Sequence, residues 1–196
     1  MAELPADLFQ VTRVNLAGVA KPLGQTLDTL ALLVAPQFDR LQSVDLSRTT
    51  LGDADLPRLT PLSTITELSL AGTQITDQGL AQWKGPPKLR RLVLDGIPLR
   101  GPGLAGLKNL PALADLQLAC PTLTDFACRA LGQLKGLKRL SLATSSVTDE
   151  GLSHLGSLQE LEELDLRGTK VTPQGVDALR KKLPKCRIAF PQQPGK

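Results

Sequence analysis

His154 is the only histidine of the 196 residues, and Glu150 stands four positions before it, so the two could share one helix face as metal ligands. Two donors do not make a zinc site, which takes about three or four protein ligands. His154 therefore reads as a surface residue beside Leu155. Asp77, Asp125 and Asp149 occupy equivalent places along the chain and could offer oxygens to calcium. Calcium takes roughly six or more oxygens, and each of these acids is explained by a position in the positive first turn of a helix. The three cysteines, Cys120, Cys128 and Cys186, are odd in number and unclustered, so no disulfide framework is implied. No cysteine stands in a nucleophile motif with a base, and neither a Gly-rich phosphate loop nor a G-x-S-x-G is present. The expectation is a non-enzyme with no catalytic residues, no metal, no cofactor and no small-molecule substrate.

The order that must position these side chains is a repeat. Apolar pairs fall at Val44/Leu46, Leu68/Leu70, Leu92/Leu94, Leu116/Leu118, Leu140/Leu142, Leu164/Leu166 and Ile188/Phe190, each step being 24 residues. Such a period is the mark of a solenoid in which each unit contributes one short strand and one return segment, neither able to bury its apolar side alone. Residues two apart on a strand share a face, so Leu68 and Leu70 point inward while Glu67, Ser69 and Ala71 point outward. Thr73, aligned with Thr49 and Thr169, has a hydroxyl placed to bond backbone groups as the chain leaves the strand. Thr76-Asp77, Thr124-Asp125 and Thr148-Asp149 read as N-caps followed by a first-turn acid, and Thr172-Pro173 puts proline where a helix needs no donor. Leu80 and Trp83 form the inward face of the helix that Gly85-Pro86-Pro87 ends. The fold expected is an α/β leucine-rich repeat solenoid, a right-handed superhelix with a parallel sheet of about eight strands on the concave face.

The units are not all alike. Residues 1–43 are expected to form an irregular N-terminal cap and a first, longer unit, because Val14/Leu16 precede Val44 by 30 residues rather than 24. Leu23, Leu27, Leu30 and Val34 predict a helix from about Leu23 to Val34, stopped before Pro36, and Leu8 and Val11 match the link residues of later units. Residues 44–187 hold six units of 24 residues, and 188–196 a last strand and a loose tail, all in one domain. The third unit has Ile97-Pro98 and Arg100-Gly101-Pro102-Gly103 where others have Thr and Thr-Asp, so its turn must be built differently. Composition is that of an ordinary globular protein, 41% hydrophobic and 21% charged. No run of about eighteen apolar residues suggests a membrane span, and the N-terminus has no secretory pattern; the expected compartment is the cytoplasm. From Lys170 to Lys196 the net charge is +6, leaving −2 for the remainder. This basic ending could meet nucleic acid or an acidic partner, but no aromatics are interleaved with it and a solvated terminal cap accounts for it.

The units L-x-L-x-x-T-x-(I/V)-T-D-x-G-L resemble bacterial leucine-rich repeats with a Thr-x-Val-Thr-Asp-x-Gly-Leu core, and the stretch from Gly175 to Ile188 is similar to their usual terminal unit. The resemblance covers about residues 40 to 190. It implies a recognition module, sometimes attached to a kinase or another effector, and carries no catalytic residues. The function expected is a non-catalytic, monomeric protein-interaction scaffold with a protein partner. The alternatives are a sensor or targeting region of a larger signalling protein and, less favoured, nucleic-acid binding through the basic end. Residues just before successive strand pairs read Glu67, Arg91, Asp115, Arg139, Glu163, Arg187, alternating in sign, so a ladder of ion pairs is expected across the sheet. A partner on this face would meet Glu163, Asp165 and Arg167, with Asp95 and Arg139 nearby. Cys128 takes the inward leucine position of its helix while Cys186 lies in the terminal link. Thiol labelling of the native protein should accordingly modify Cys186 faster than Cys128; the reverse order would mean that the register of the fourth or sixth unit is misread.

Overall fold

Each apolar pair needs an extended backbone to bring both side chains to one face, and each lies where a three-residue strand runs out. The computed structural model describes residues 12–18 and 40–190. Its strands are β1 Arg13–Asn15, β2 Ser43–Asp45, β3 Glu67–Ser69, β4 Arg91–Val93, β5 Asp115–Gln117, β6 Arg139–Ser141, β7 Glu163–Asp165 and β8 Arg187–Ala189. They form one sheet in sequence order, every pair parallel. From β2 onward each residue pairs with the one 24 positions later, as Leu68 with Leu92, while Val14 pairs with Val44 across the longer first step. The expected continuous parallel sheet is therefore what forms. The predicted helix from about Leu23 to Val34, the link residues Leu8 and Val11 and the tail 191–196 lie outside the described residues.

The return segments are short helices on the opposite side: α1 Leu56–Leu59, α2 Asp77–Gln82, α3 Asp125–Leu131, α4 Asp149–Leu155 and α5 Pro173–Lys182. The third unit differs as its sequence requires, returning through a 3-10 helix, Pro102–Asn109. Leucines from strands and helices meet in one core, where Leu70, Leu94, Leu118, Leu142 and Leu166 are fully buried. At about 1.5–3 kcal/mol per buried leucine this stacked column is the dominant stabilising term. Val14, Leu16, Ile188 and Phe190 are only partly covered, being on the first and last coils among the described residues. At the C-terminal end Lys182 and Lys185 are exposed at places that earlier units fill mostly with leucine, and the aliphatic stem of Lys182 lies against Gly156. Cys128 is buried and Cys186 half-buried, as their positions predict, with burial pushing their thiols up to about 12 and about 11.

Threonine closes the strand exits. The hydroxyls of Thr49, Thr73 and Thr169 donate to the carbonyls of Leu46, Leu70 and Leu166 at 2.7, 2.7 and 2.6 Å. Ser145 stands at the same place in its unit, and its buried hydroxyl has no partner. One residue earlier the chain takes positive φ in most units, at Gly72, Gly96 and Gly168 but also at Arg48 and Thr144. The expected helix caps form at Thr76, Thr148 and Thr172, which accept from Gln78 N, Glu150 N and Gly175 N, but not at Thr124.

The aligned aspartates do more than the sequence reading allowed them. Each reaches out of its own coil to clamp the next. Asp53 accepts from Thr76 N at 2.7 Å and Thr76 Oγ1 at 2.6 Å; Asp125 accepts from Thr148 N and Oγ1, both at 2.7 Å. Asp149 does the same to Thr172, and Asp77 takes the amides of Arg100, Gly101 and Gly103. Helix-start placement explains part of the acid; the clamp explains the motif. The carboxylate occupies the space beside a glycine of the following coil, so a Cβ on Gly79, Gly151 or Gly175 would collide with Asp53, Asp125 or Asp149. The third unit has Gly101 in place of the acid, and the fourth has Ala127 in place of the glycine; a Cβ on Gly101 would lie 2.8 Å from that of Ala127. The exchange is reciprocal. Gly175→Ala is therefore expected to destabilise by about 1–3 kcal/mol, and in an Asp149→Ala background the same change should be near neutral. A double-mutant cycle from denaturant melts measures this, and additive effects would refute the clamp.

Candidate functional site

The outward residues of the strands are set by the same alternation that buries the leucines, so the sheet face collects one side chain from each coil at every level. On β4 to β8 this produces a depression of about 580 Å³ lined by Arg91, Asp115, Arg139, Glu163, Asp165 and Arg167, together with Gln117 and Ser141. Of the residues singled out in the sequence, Arg139, Glu163, Asp165 and Arg167 come together here. Asp95 does not. Its Oδ1 accepts from Ala119 N at 2.7 Å, tying the carboxylate to the loop after β5.

The alternating row is in register, Glu67 beside Arg91 and so on to Glu163 beside Arg187, but the ion pairs do not run evenly along it. Arg91 Nη1 and Arg139 Nε both donate to Asp115 Oδ2, at 3.1 and 3.0 Å. Arg187 donates to Glu163. With Arg91 turned toward Asp115, Glu67 makes no ion pair among the described residues, and Arg139 does not close one with Glu163. The expected ladder is thus corrected to one shared acid and one simple pair. A further pair lies within β7's exit, where Arg167 Nε and Nη2 form a fork on Asp165 at 2.9 and 2.6 Å. The side-chain bond from Arg167 lowers the Asp165 pKa, and the bond from Arg139 to Asp115 raises that of Arg139.

With fold and face in view, the comparisons decide the architecture. A protein-family model described as Leucine Rich repeat matches residues 62–81 and 158–179. Among solved structures, internalin C2 of Listeria monocytogenes superposes with a TM-score of 0.65 at 19% identity, over 93% of this chain and 74% of that one. The fold is a leucine-rich repeat solenoid. A leucine-rich repeat protein of Leptospira interrogans matches with a TM-score of 0.56 at 27% identity, over 79% of this chain and 38% of its own. A second Listeria monocytogenes internalin matches at 0.50 and 20% identity, over 80% of this chain and 50% of its own. No curated protein sequence matches the chain.

Away from the sheet, His154 is half-buried beside the buried Leu155 and Glu150 is exposed on α4. No group of three or more His, Cys, Asp or Glu among the described residues could hold a metal ion. No described helix is long and apolar enough to cross a membrane. Sequence reasoning missed the unequal sharing at Asp115, whose signal is its burial between two arginine-bearing strands. Arg91→Glu would set an acid between Glu67 and Asp115 and remove one of the two donors to a buried carboxylate. The expected loss is about 1–2 kcal/mol with the fold kept, read as a lowered melting temperature with unchanged far-UV circular dichroism.

Proposed function

We propose that the chain is a protein-recognition module that engages its partner on the concave sheet, over the depression formed by β4 to β8. The observation that carries this reading is the depression itself: charged and polar side chains from consecutive coils are brought to one surface and held there by hydrogen bonds, with small residues between them. Ala71, Ala119, Ser141 and Ala143 leave the face open to an approaching chain. Arg139, Glu163, Asp165 and Arg167 are the contacts proposed, Asp95 serving the loop instead. The solenoid architecture supports the same role, because an extended curved sheet is a binding surface rather than an enclosed pocket. The repeat supplies the scaffold and no chemistry, so the reading is of a non-catalytic, monomeric protein. A cytoplasmic setting fits Cys120 and Cys128, free thiols buried in the core with pKa values raised by burial to about 11 and about 12.

The reading is tested by affinity capture from the native cell with two bulky substitutions. Ser141→Trp fills the concave depression, whereas Ala178→Trp adds the same ring to the exposed helical side on α5. Loss of the captured protein with Ser141→Trp and retention with Ala178→Trp is the expected result. The opposite pattern would move the site to the convex side.

A further inference from the structure

The depression on β4 to β8 has a sign that its composition hides. Four arginines stand against three acids in its walls, nearly balanced in number, yet the two kinds of charge lie at different depths. Arg91 and Arg139 side chains are 42% and 49% exposed, whereas the Asp115 they share is 5% exposed. Arg167 is 72% exposed over Asp165 at 22%, and Arg187 is 81% exposed over Glu163 at 48%. In every pair the carboxylate is recessed and the guanidinium faces out. A molecule approaching this surface meets cations first, each held in place by an acid beneath it.

The arginines also keep donors in reserve. A guanidinium carries about five N–H groups in a fixed fork, and the pair on Asp115 uses Nη1 of Arg91 and Nε of Arg139 only. The remaining N–H groups of both side chains have no acceptor among the described residues and so are free for a ligand in the depression both side chains line; such forks match carboxylates better than any other side chain does. The array has a boundary: on β3 the exposed Glu67 makes no ion pair among the described residues, and on β2 stands Asp45, so the two strands next to Arg91 present acids, with Arg13 beyond them on β1.

We propose that this surface binds an acidic segment of the partner protein, its carboxylates seated on Arg91, Arg139 and Arg187; this rests on the concave-face reading above. The three arginines leave alternate strands, β4, β6 and β8, and are spaced by about 10 Å at ~4.8 Å per strand. A polyproline II chain advances about 9 Å per turn of three residues and returns every third side chain to the same side. The segment that fits is therefore an extended one crossing the strands with an acid at every third position, ending before β3, where Glu67 and Asp45 would repel it.

The test uses fluorescein-labelled peptides made of repeated Glu-Pro-Pro or Gln-Pro-Pro, followed by anisotropy at low ionic strength. The Glu peptide should bind the wild-type chain about tenfold or more tightly than the Gln peptide, and added salt should weaken it. Arg91→Gln/Asp115→Asn/Arg139→Gln removes the cations without orphaning the buried carboxylate, and should lose about tenfold in affinity for the Glu peptide. Arg187→Gln, at an exposed pair whose loss leaves the fold intact, should lose severalfold, which keeps the test decisive if the triple variant fails to fold. Lys181→Gln/Lys182→Gln/Lys185→Gln on the basic end should bind as wild type. Equal binding of the two peptides, no binding of the Glu peptide, or dependence on the lysines rather than the arginines would overturn the proposal. If Ser141→Trp abolishes capture of the cellular partner while the two peptides behave alike, the concave face stands and the acidic ligand falls.

Discussion

A carboxylate lent by one coil to the next is the contact on which the order of this molecule depends. No unit can bury its leucines alone, so stacking is obligatory, and stacked coils must still satisfy the backbone amides at the start of each return segment. Asp53, Asp125 and Asp149 do both at once: each sits in its own helix start and bonds the amide and hydroxyl of a threonine in the following coil. The glycine three positions after that threonine is absent of side chain because the acid is already there. One interaction thus accounts for three letters of the Thr-Asp-x-Gly pattern and for the lateral register of the convex side.

Because contacts run only between neighbours, a change in one coil is answered in the next and goes no further. The third unit has Gly101 in place of an acid, and the fourth has Ala127 in place of glycine, so the seam closes by a small apolar contact instead of a clamp. Thr124 then has no acid to hold it and makes no cap bond, and the third unit's return segment is a 3-10 helix. Phe126, the one large hydrophobic side chain that is well exposed among the described residues, lies at this same seam, next to Pro102 and Ala105. The units on either side keep the regular build, as expected of a structure that is quasi-one-dimensional.

On the concave side the same periodicity works with charge. From β3 to β8, parallel strands in register put one charged side chain from each coil into a single row, and the alternation of sign keeps that row from repelling itself. Depth then separates the signs. Asp115 sits low between two strands whose arginines are long enough to reach down to it while keeping their heads in solvent. The result is a surface whose net charge is small and whose outer layer is cationic.

How much of this is legible in the chain depends on the range over which a residue's role is set. Roles fixed within one coil can be read directly: the leucine pairs, the Thr49, Thr73 and Thr169 hydroxyls at the strand exits, the caps at Thr76, Thr148 and Thr172, and the departure of the third unit at Ile97 to Gly103. They follow from alternation and local hydrogen bonding, which act over a few residues. The sign row from Glu67 to Arg187 is legible as well, since the constant period places its members side by side. Which of two equivalent neighbours a side chain chooses is not. Arg91 lies between Glu67 and Asp115 and turns to the second; Asp77 and its equivalents stand in the first turn of their own helices and bond the next coil. Those choices were decided in the tertiary structure, because they rest on burial depth and on the free space left by a residue 24 or more positions away, quantities that exist only once the coils are stacked.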